Sequence, residues 1–188
     1  YTGVSHLKVV NEGAAQFYPE PVKYDTETHV NNVRMLAAAT NGDIYLGTLF
    51  GLLRYNRQSD DFDRIPELNG KFVYDIKEDS GSNLWLAAYC YNVNEKKWTN
   101  YLHDENNPRS LPYDKVLSIF EDSHRQIWLT TQGGGFCKFH PETETFTSYD
   151  SRNGLPNDVV YQIVEDKEGL MWLTTNNGLV SFQPATGA

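Results

Sequence analysis

Residues 162–182 read QIVEDKEGLMWLTTNNGLVSF, and the frame they set recurs upstream. Ile163 lies nine positions before Trp172, and an aromatic, Phe182, lies ten after it. Ile119, Trp128 and Phe139 repeat the frame at nine and eleven; Leu36, Tyr45 and Tyr55 repeat it at nine and ten; Ile76 and Trp85 give nine again. A fourfold repeat of about 40 to 48 residues falls in the range of four-stranded propeller blades.

Inside each unit the apolar pattern has the period of a strand. IYLGT (44–48), LWLAA (84–88), IWLTT (127–131) and MWLTT (171–175) are short, rich in β-branched and aromatic residues, and bounded by turn residues. A turn and another strand precede each run, as in VLSIFED (116–122) and VVYQIVED (159–166). A glycine turn and a third strand follow in GLLRY (51–55), GGFCKF (134–139) and GLVSF (178–182). A fourth strand carries an aromatic seven residues beyond the third strand's last one: Tyr55 to Phe62, Tyr91 to Trp98, Phe139 to Phe146. The expected fold class is all-β, built of four-stranded antiparallel blades, with about four blades present.

The units divide as 1–32, a partial blade; 33–72, a blade; 73–115, a blade; 116–159, a blade; and 160–188, an incomplete blade. In the second unit, Ala39 and Thr40 stand where later units have Glu-Asp. In the third, Trp85 to Tyr91 spans only six positions. Four or five residues, including a Gly-Gly-aliphatic turn, are expected to be missing between Tyr89 and Cys90, because strands two and three would otherwise fail to pair as a hairpin. The chain begins inside a repeat with no signal peptide, as a piece of a larger ring would. An unclosed ring leaves blade faces uncovered, and association of copies as a homodimer would cover them.

Composition excludes more than it assigns. Sixteen basic against 25 acidic residues give a net charge of −9, which opposes a phosphate backbone, and no basic stripe offsets it, so nucleic acid is not an expected partner. No stretch is long and apolar enough to cross a membrane as a helix. Cys90 and Cys137 lie in third strands of neighbouring units, offset by one in register, so their side chains should leave opposite faces and no disulfide is expected.

The chemistry-bearing residue types read mostly as structure. Glu78-Asp79, Glu121-Asp122 and Glu165-Asp166 resemble the paired carboxylates of a glycosidase. A catalytic pair is needed once, however, whereas a turn acid that accepts from nearby backbone N–H groups serves every blade. Trp85, Trp128 and Trp172 hold one repeated strand position, which suits packing between blades better than sugar stacking. The five histidines show no zinc spacing. Asp150 to Asp158 faintly resembles a calcium loop, but Tyr161 stands where its glutamate would be. Gly133, Gly134 and Gly135 lack a P-loop lysine pattern and read as a strand connection needing positive φ. No metal, cofactor or catalytic residue is expected.

The pattern of Glu-Asp, a turn, Ile-Trp-Leu-Thr-Thr, a glycine turn, an aromatic, Phe-Thr-x-Tyr and Gly-Leu-Pro-Asn-Asp resembles the two-component regulator propeller repeat. The resemblance spans roughly 33–188 and is strongest in EDSHRQIWLTTQGGGF and NGLPNDVVYQIVEDKEGLMWLTTNNGL. It implies a seven-bladed propeller in the periplasmic sensor half of a membrane-anchored hybrid two-component protein of gut Bacteroidetes, with a histidine kinase beyond the membrane and oligosaccharides as inducers.

In such a ring, the loops from outer strand to next inner strand and between strands two and three gather at one end. The candidate ligand-binding side chains there are Arg109, Tyr113, Gln132, Arg152, Asn153, Tyr161, Asn176 and Asn177, with Asn106 beside them. Amides and guanidinium groups supply hydrogen bonds, and Tyr113 and Tyr161 supply stacking faces, as a sugar requires. A propeller enzyme acting on glycans, a lyase or hydrolase, and a protein-interaction scaffold are the alternatives.

Overall fold

The computed structural model describes residues 6–10, 14–18, 33–92 and 95–187. They form two compact units divided between Val73 and Tyr74. In the first, β1 (His6–Val10) pairs antiparallel with β2 (Ala14–Tyr18). In sequence, Gly3-Val4-Ser5-His6-Leu7 matches the third strand Gly51 to Tyr55; Gly3, Val4 and Ser5 lie outside the described residues. The same unit holds one blade of four strands in sequence order, β3 (Val33–Ala38), β4 (Ile44–Thr48), β5 (Gly51–Asn56) and β6 (Asp61–Arg64).

The second unit contains three blades. The first is β7 (Ile76–Glu78), β8 (Asn83–Leu86), β9 (Tyr89–Asn92) and β10 (Lys97–Asn100). The next is β11 (Val116–Glu121), β12 (Ile127–Thr131), β13 (Phe136–His140) and β14 (Thr145–Tyr149). The last has three strands, β15 (Val160–Glu165), β16 (Met171–Thr175) and β17 (Gly178–Phe182). Every sheet is an antiparallel meander, as the sequence leads one to expect.

Two registers depart from the sequence reading. Ala38 faces Ile44 in β4 as Glu121 faces Ile127 in β12, so Ala38 and Ala39, not Ala39 and Thr40, occupy the Glu-Asp positions of that blade. The Ala39 amide also bonds the Asp43 carbonyl, as the Asp122 amide bonds that of Gln126. The hairpin expected to need extra residues between Tyr89 and Cys90 closes without them. Leu86 faces Tyr89 across Ala87-Ala88, and Trp85 faces Cys90. Ala87 takes φ +51, the left-handed conformation that lets a two-residue turn follow the twist of its strands. The excision falls at the loop, so the third-strand aromatic keeps its register: Leu84 faces Tyr91 as Met171 faces Phe182.

The tryptophans are interblade packing where a following blade is present. Trp85 meets Phe139 of the next blade edge-on at 4.9 Å, and Trp128 meets Phe182 of its successor at 5.8 Å. These indoles are 2% and 1% exposed, whereas Trp172 on the last blade is 36% exposed. Burying an aromatic of this size contributes roughly 4–6 kcal/mol of transfer free energy before the entropy of ordering it. The offset between Cys90 and Cys137 has an unforeseen result. Leaving opposite faces of adjacent stacked blades, both thiols enter one core layer, where both are buried and free.

The acid pairs divide their labour. Asp122 accepts the Trp128 indole N–H on Oδ2 at 2.9 Å and the backbone N–H groups of His124 and Gln126 on Oδ1. Asp79 does the same for Trp85, Gly81 and Asn83, and Asp166 for Trp172, Glu168 and Leu170. The glutamates instead reach back to the preceding blade. Both Glu121 carboxylate oxygens accept from the Ser80 amide at 3.0 Å, and Glu165 accepts from the Ser123 amide and hydroxyl.

Asp122→Asn should destabilise the protein by about 1–3 kcal/mol in urea titration, because one amide face opposes the indole N–H with another donor inside a buried site. The bonds from Trp172 and the Leu170 amide hold the Asp166 carboxyl below its ordinary value. Its stabilising contribution is therefore complete above about pH 4 and fades as pH falls through the depressed folded-state value. Asp166→Asn should remove that part of the acid-side slope in melting temperature against pH.

Candidate functional site

Antiparallel meanders put the loops between second and third strands at the same end as the crossings to the next blade. Within the three-blade unit these are 132–135 and 176–177, with the crossings 101–115 and 150–159. A threonine ends β12 and β16 there and fastens the loop, whereas β8 ends at Leu86 and passes directly into the Ala87-Ala88 turn. The Thr131 hydroxyl donates to the Gly135 carbonyl and accepts from the Gly134 amide; Thr175 does likewise with Gly178 and Asn177. The glycines are required chiefly by crowding. A Cβ at Gly134 would lie 2.7 Å from the Pro112 carbonyl, and one at Gly135 would lie 2.0 Å from the Tyr149 carbonyl oxygen. Positive φ, expected for all three, occurs at Gly135 alone.

The sequence-predicted residues fall into two contacting groups and several singletons. Tyr161 is the extra residue of a bulge in β15, between the pairs Val160–Thr175 and Gln162–Thr174. Bulges re-aim side chains, and the Tyr161 ring is 49% exposed with its hydroxyl donating to Asn176 Oδ1. Tyr113, 44% exposed, lies against Gly133 beside the exposed Gln132. Gln132 bridges to Val159, tying one blade's loop to the next crossing. Asn177 is exposed next to Asn176. Arg109 presents an exposed side chain, while its carbonyl accepts the Phe146 amide. Leu111 and Leu155, the residues before Pro112 and Pro156, are buried in the crossings.

Arg152 and Asn153 have local duties. They lie in the 3-10 turn Ser151–Asn153, where Asn153 Oδ1 accepts the Asp150 amide and the Arg152 guanidinium pairs with the Asp150 carboxylate. That guanidinium holds the Asp150 carboxyl below its ordinary value. Asp158 accepts from the Ser151 amide and hydroxyl. The acids of the faint calcium loop thus fasten their own turn, and no group of metal-ligating side chains occurs among the described residues.

Sequence reasoning missed a groove at the other end of the blades. About 580 Å³ opens between the β7–β10 blade and its successor. Its deepest lining is Cys90, Tyr101, Ile127 and Phe139, and its mouth carries the exposed Glu95, Lys97, Arg125, Glu142 and Glu144. Burial first, then the carboxylates of Asp79 and Glu144, pushes the Cys90 thiol up to about 12. Burial raises Tyr101 and Cys137 as well. The usable sequence signal was Ala88, at a position where the other blades carry Leu52, Phe136 and Leu179.

Comparison with known proteins gives the architecture its place. Residues 154–177 match the family model "Two component regulator propeller". By fold, the chain is similar to the extracellular domain assigned to the hybrid two-component system BT3049 of B. thetaiotaomicron, with TM-score 0.75 at 18% identity, covering 84% of this chain and 24% of that one. A second such domain, BT4673 of the same organism, gives 0.70 at 22% identity with the same coverage. Virginiamycin B lyase from Staphylococcus aureus gives 0.57 at 16% identity, covering 83% of this chain and 58% of the lyase. The chain spans about a quarter of the two-component domains it matches. No curated protein sequence matches it.

Thiols this reluctant to ionise are poor nucleophiles. Both cysteines should stay unmodified by a water-soluble disulfide reagent at pH 8 in the native protein and react in full in urea, read by absorbance of the released thiolate.

Proposed function

We propose that the chain is the ligand-recognising part of a periplasmic two-component sensor anchored in a membrane, and that it binds an oligosaccharide at the loop end of its blades. The observation that carries this reading is the exposed ring of Tyr161 beside Asn176 and Asn177, at a bulge position that recurs as Arg34 and Leu117 and, of the three, carries an aromatic face only here. Rings for stacking, with amides for hydroxyls, form a sugar-recognising set. Tyr113 with Gln132, and the Arg109 side chain, extend it along the same end. Arg152 and Asn153 act there as turn-builders that fix the crossing. The repeat match and the similarity to extracellular domains of two-component systems support the sensor role, and closure into a seven-bladed ring by further sequence is part of the same reading.

The carboxylates that might have served a glycan hydrolase or lyase are bound to turns and indoles, which favours binding without turnover. Titration calorimetry with a panel of oligosaccharides should give saturable heats for at least one. Tyr161→Ala should weaken that binding about tenfold, equivalent to about 1.4 kcal/mol, and Tyr161→Phe less. New reducing ends or unsaturated products after long incubation would overturn the non-catalytic reading. Self-association in light scattering with no glycan bound would favour a scaffold instead.

A further inference from the structure

The first strands of the three-blade unit carry a row of residues at one level. Ile76, Ile119 and Ile163 face Leu86, Leu129 and Leu173 in their second strands, so the residues two places earlier, Tyr74, Leu117 and Tyr161, hold one position on neighbouring strands. Backbone bonds tie the loops to this row. The Gln132 amide donates to the Lys115 carbonyl at 3.0 Å, and the Asn176 amide donates to that of Val159 at 3.3 Å. Lys115 therefore stands in its blade where the next blade has an uncharged valine, and Gln132 joins the two crossings by its bridge to Val159. The rim that holds Tyr161 and Asn176 thus runs on, through Gln132, to a lysine.

Lys115 is half-buried, and its Nζ lies 5.0 Å from the centroid of the Tyr74 ring. No carboxylate forms an ion pair with it among the described residues. The acids just ahead of each first strand are committed to other donors. Asp75 accepts from the Ser118 hydroxyl and the Ile119 amide, Asp114 from the His103 amide, and Asp158 from the Ser151 amide and hydroxyl. A ring face attracts an ammonium through its quadrupole without taking up the three N–H donors that a lysine carries. Lys115 is therefore held in place by Tyr74 while keeping donors for an anion.

We propose that the glycan bound at the Tyr161 end is acidic, with a carboxylate or a sulfate ester on the sugar residue that reaches Lys115; this rests on the glycan reading and narrows it to one substrate class. Tyr161 supplies the stacking face, Gln132 and Asn176 supply hydrogen bonds to hydroxyls, and Lys115 supplies a charge-assisted bond to the anion. Stacked sheets lie about 10 Å apart, so a ligand that touches both Tyr161 and Lys115 is an oligomer rather than a single sugar. The chain's net charge of −9 opposes an acidic ligand at long range, which makes the preference a matter of contact with Lys115 and not of the protein's overall field.

The test is calorimetry at physiological salt, where charges beyond ~8 Å are screened, with tetragalacturonic acid against its methyl ester, and a sulfated galactan tetrasaccharide against the same sugar desulfated. A saturable heat for either acidic sugar, with binding at least tenfold tighter than its neutral partner, supports the proposal, and the pair that shows it names the anion as carboxylate or sulfate. Lys115→Met, which keeps a stem over Tyr74, should remove most of that preference, and Lys115→Arg should retain it. Should Lys115→Met fail to fold by circular dichroism, Lys115→Gln takes its place. Neutral sugars bound as tightly as acidic ones would overturn the proposal and leave the glycan reading standing. No heat with either acidic sugar, or an undiminished preference in Lys115→Met, would overturn it as well.

Discussion

The bond from an aspartate at the end of the first strand to a tryptophan in the second is the constraint on which the three-blade unit depends. An indole facing the next blade must bury its N–H along with its rings, and a buried donor left without a partner costs about 1–3 kcal/mol. One carboxylate oxygen takes that N–H while the other gathers the turn amides. The turn, the tryptophan rotamer and the blade face are thereby fixed by a single side chain. The blade in the first unit manages the same position with Tyr45, whose hydroxyl finds Asp43 from the other side of the turn. With Ala39 at the aspartate position, a tryptophan there would have no such acceptor.

Much of this was legible in the sequence because blades repeat chemistry as well as length. The nine-residue interval from aliphatic to tryptophan is the register of the first hairpin, and the run of Thr-Thr before glycine is the staple of the second. Strand pairing puts Ala38 opposite Ile44, so the Glu-Asp positions of that blade fall on Ala38 and Ala39 and not on Ala39 and Thr40. The shortened hairpin can pair as it stands for a physical reason. A chain can drop five residues at a loop without disturbing register if one residue tolerates positive φ, and Ala87 does. That the glutamates serve the preceding blade was not legible, since Ser80 and Glu121 are 41 residues apart and no local rule joins them.

The candidate sites differ in how the sequence advertises them. Tyr161 and Asn176 fall where repeats diverge, so loop reasoning finds both, and the bulge explains why they meet. Arg152 and Asn153 also diverge, yet the structure gives them to Asp150, because variable loops must still be built. The groove is written in the reverse way, as one residue, Ala88, smaller than its counterparts Leu52, Phe136 and Leu179. Only alignment of strand registers, rather than inspection of polar residues, brings Ala88 forward.

The backward reach of Glu121 and Glu165 gives the unit a direction. The first turns of the β7–β10 and β11–β14 blades are each completed by a residue synthesised some forty positions later, so each of these nascent blades keeps its serine amide open until its successor folds. Assembly along the chain then behaves as a ratchet in which every new module locks the one before it, and a translational pause inside a module leaves the previous one unlatched.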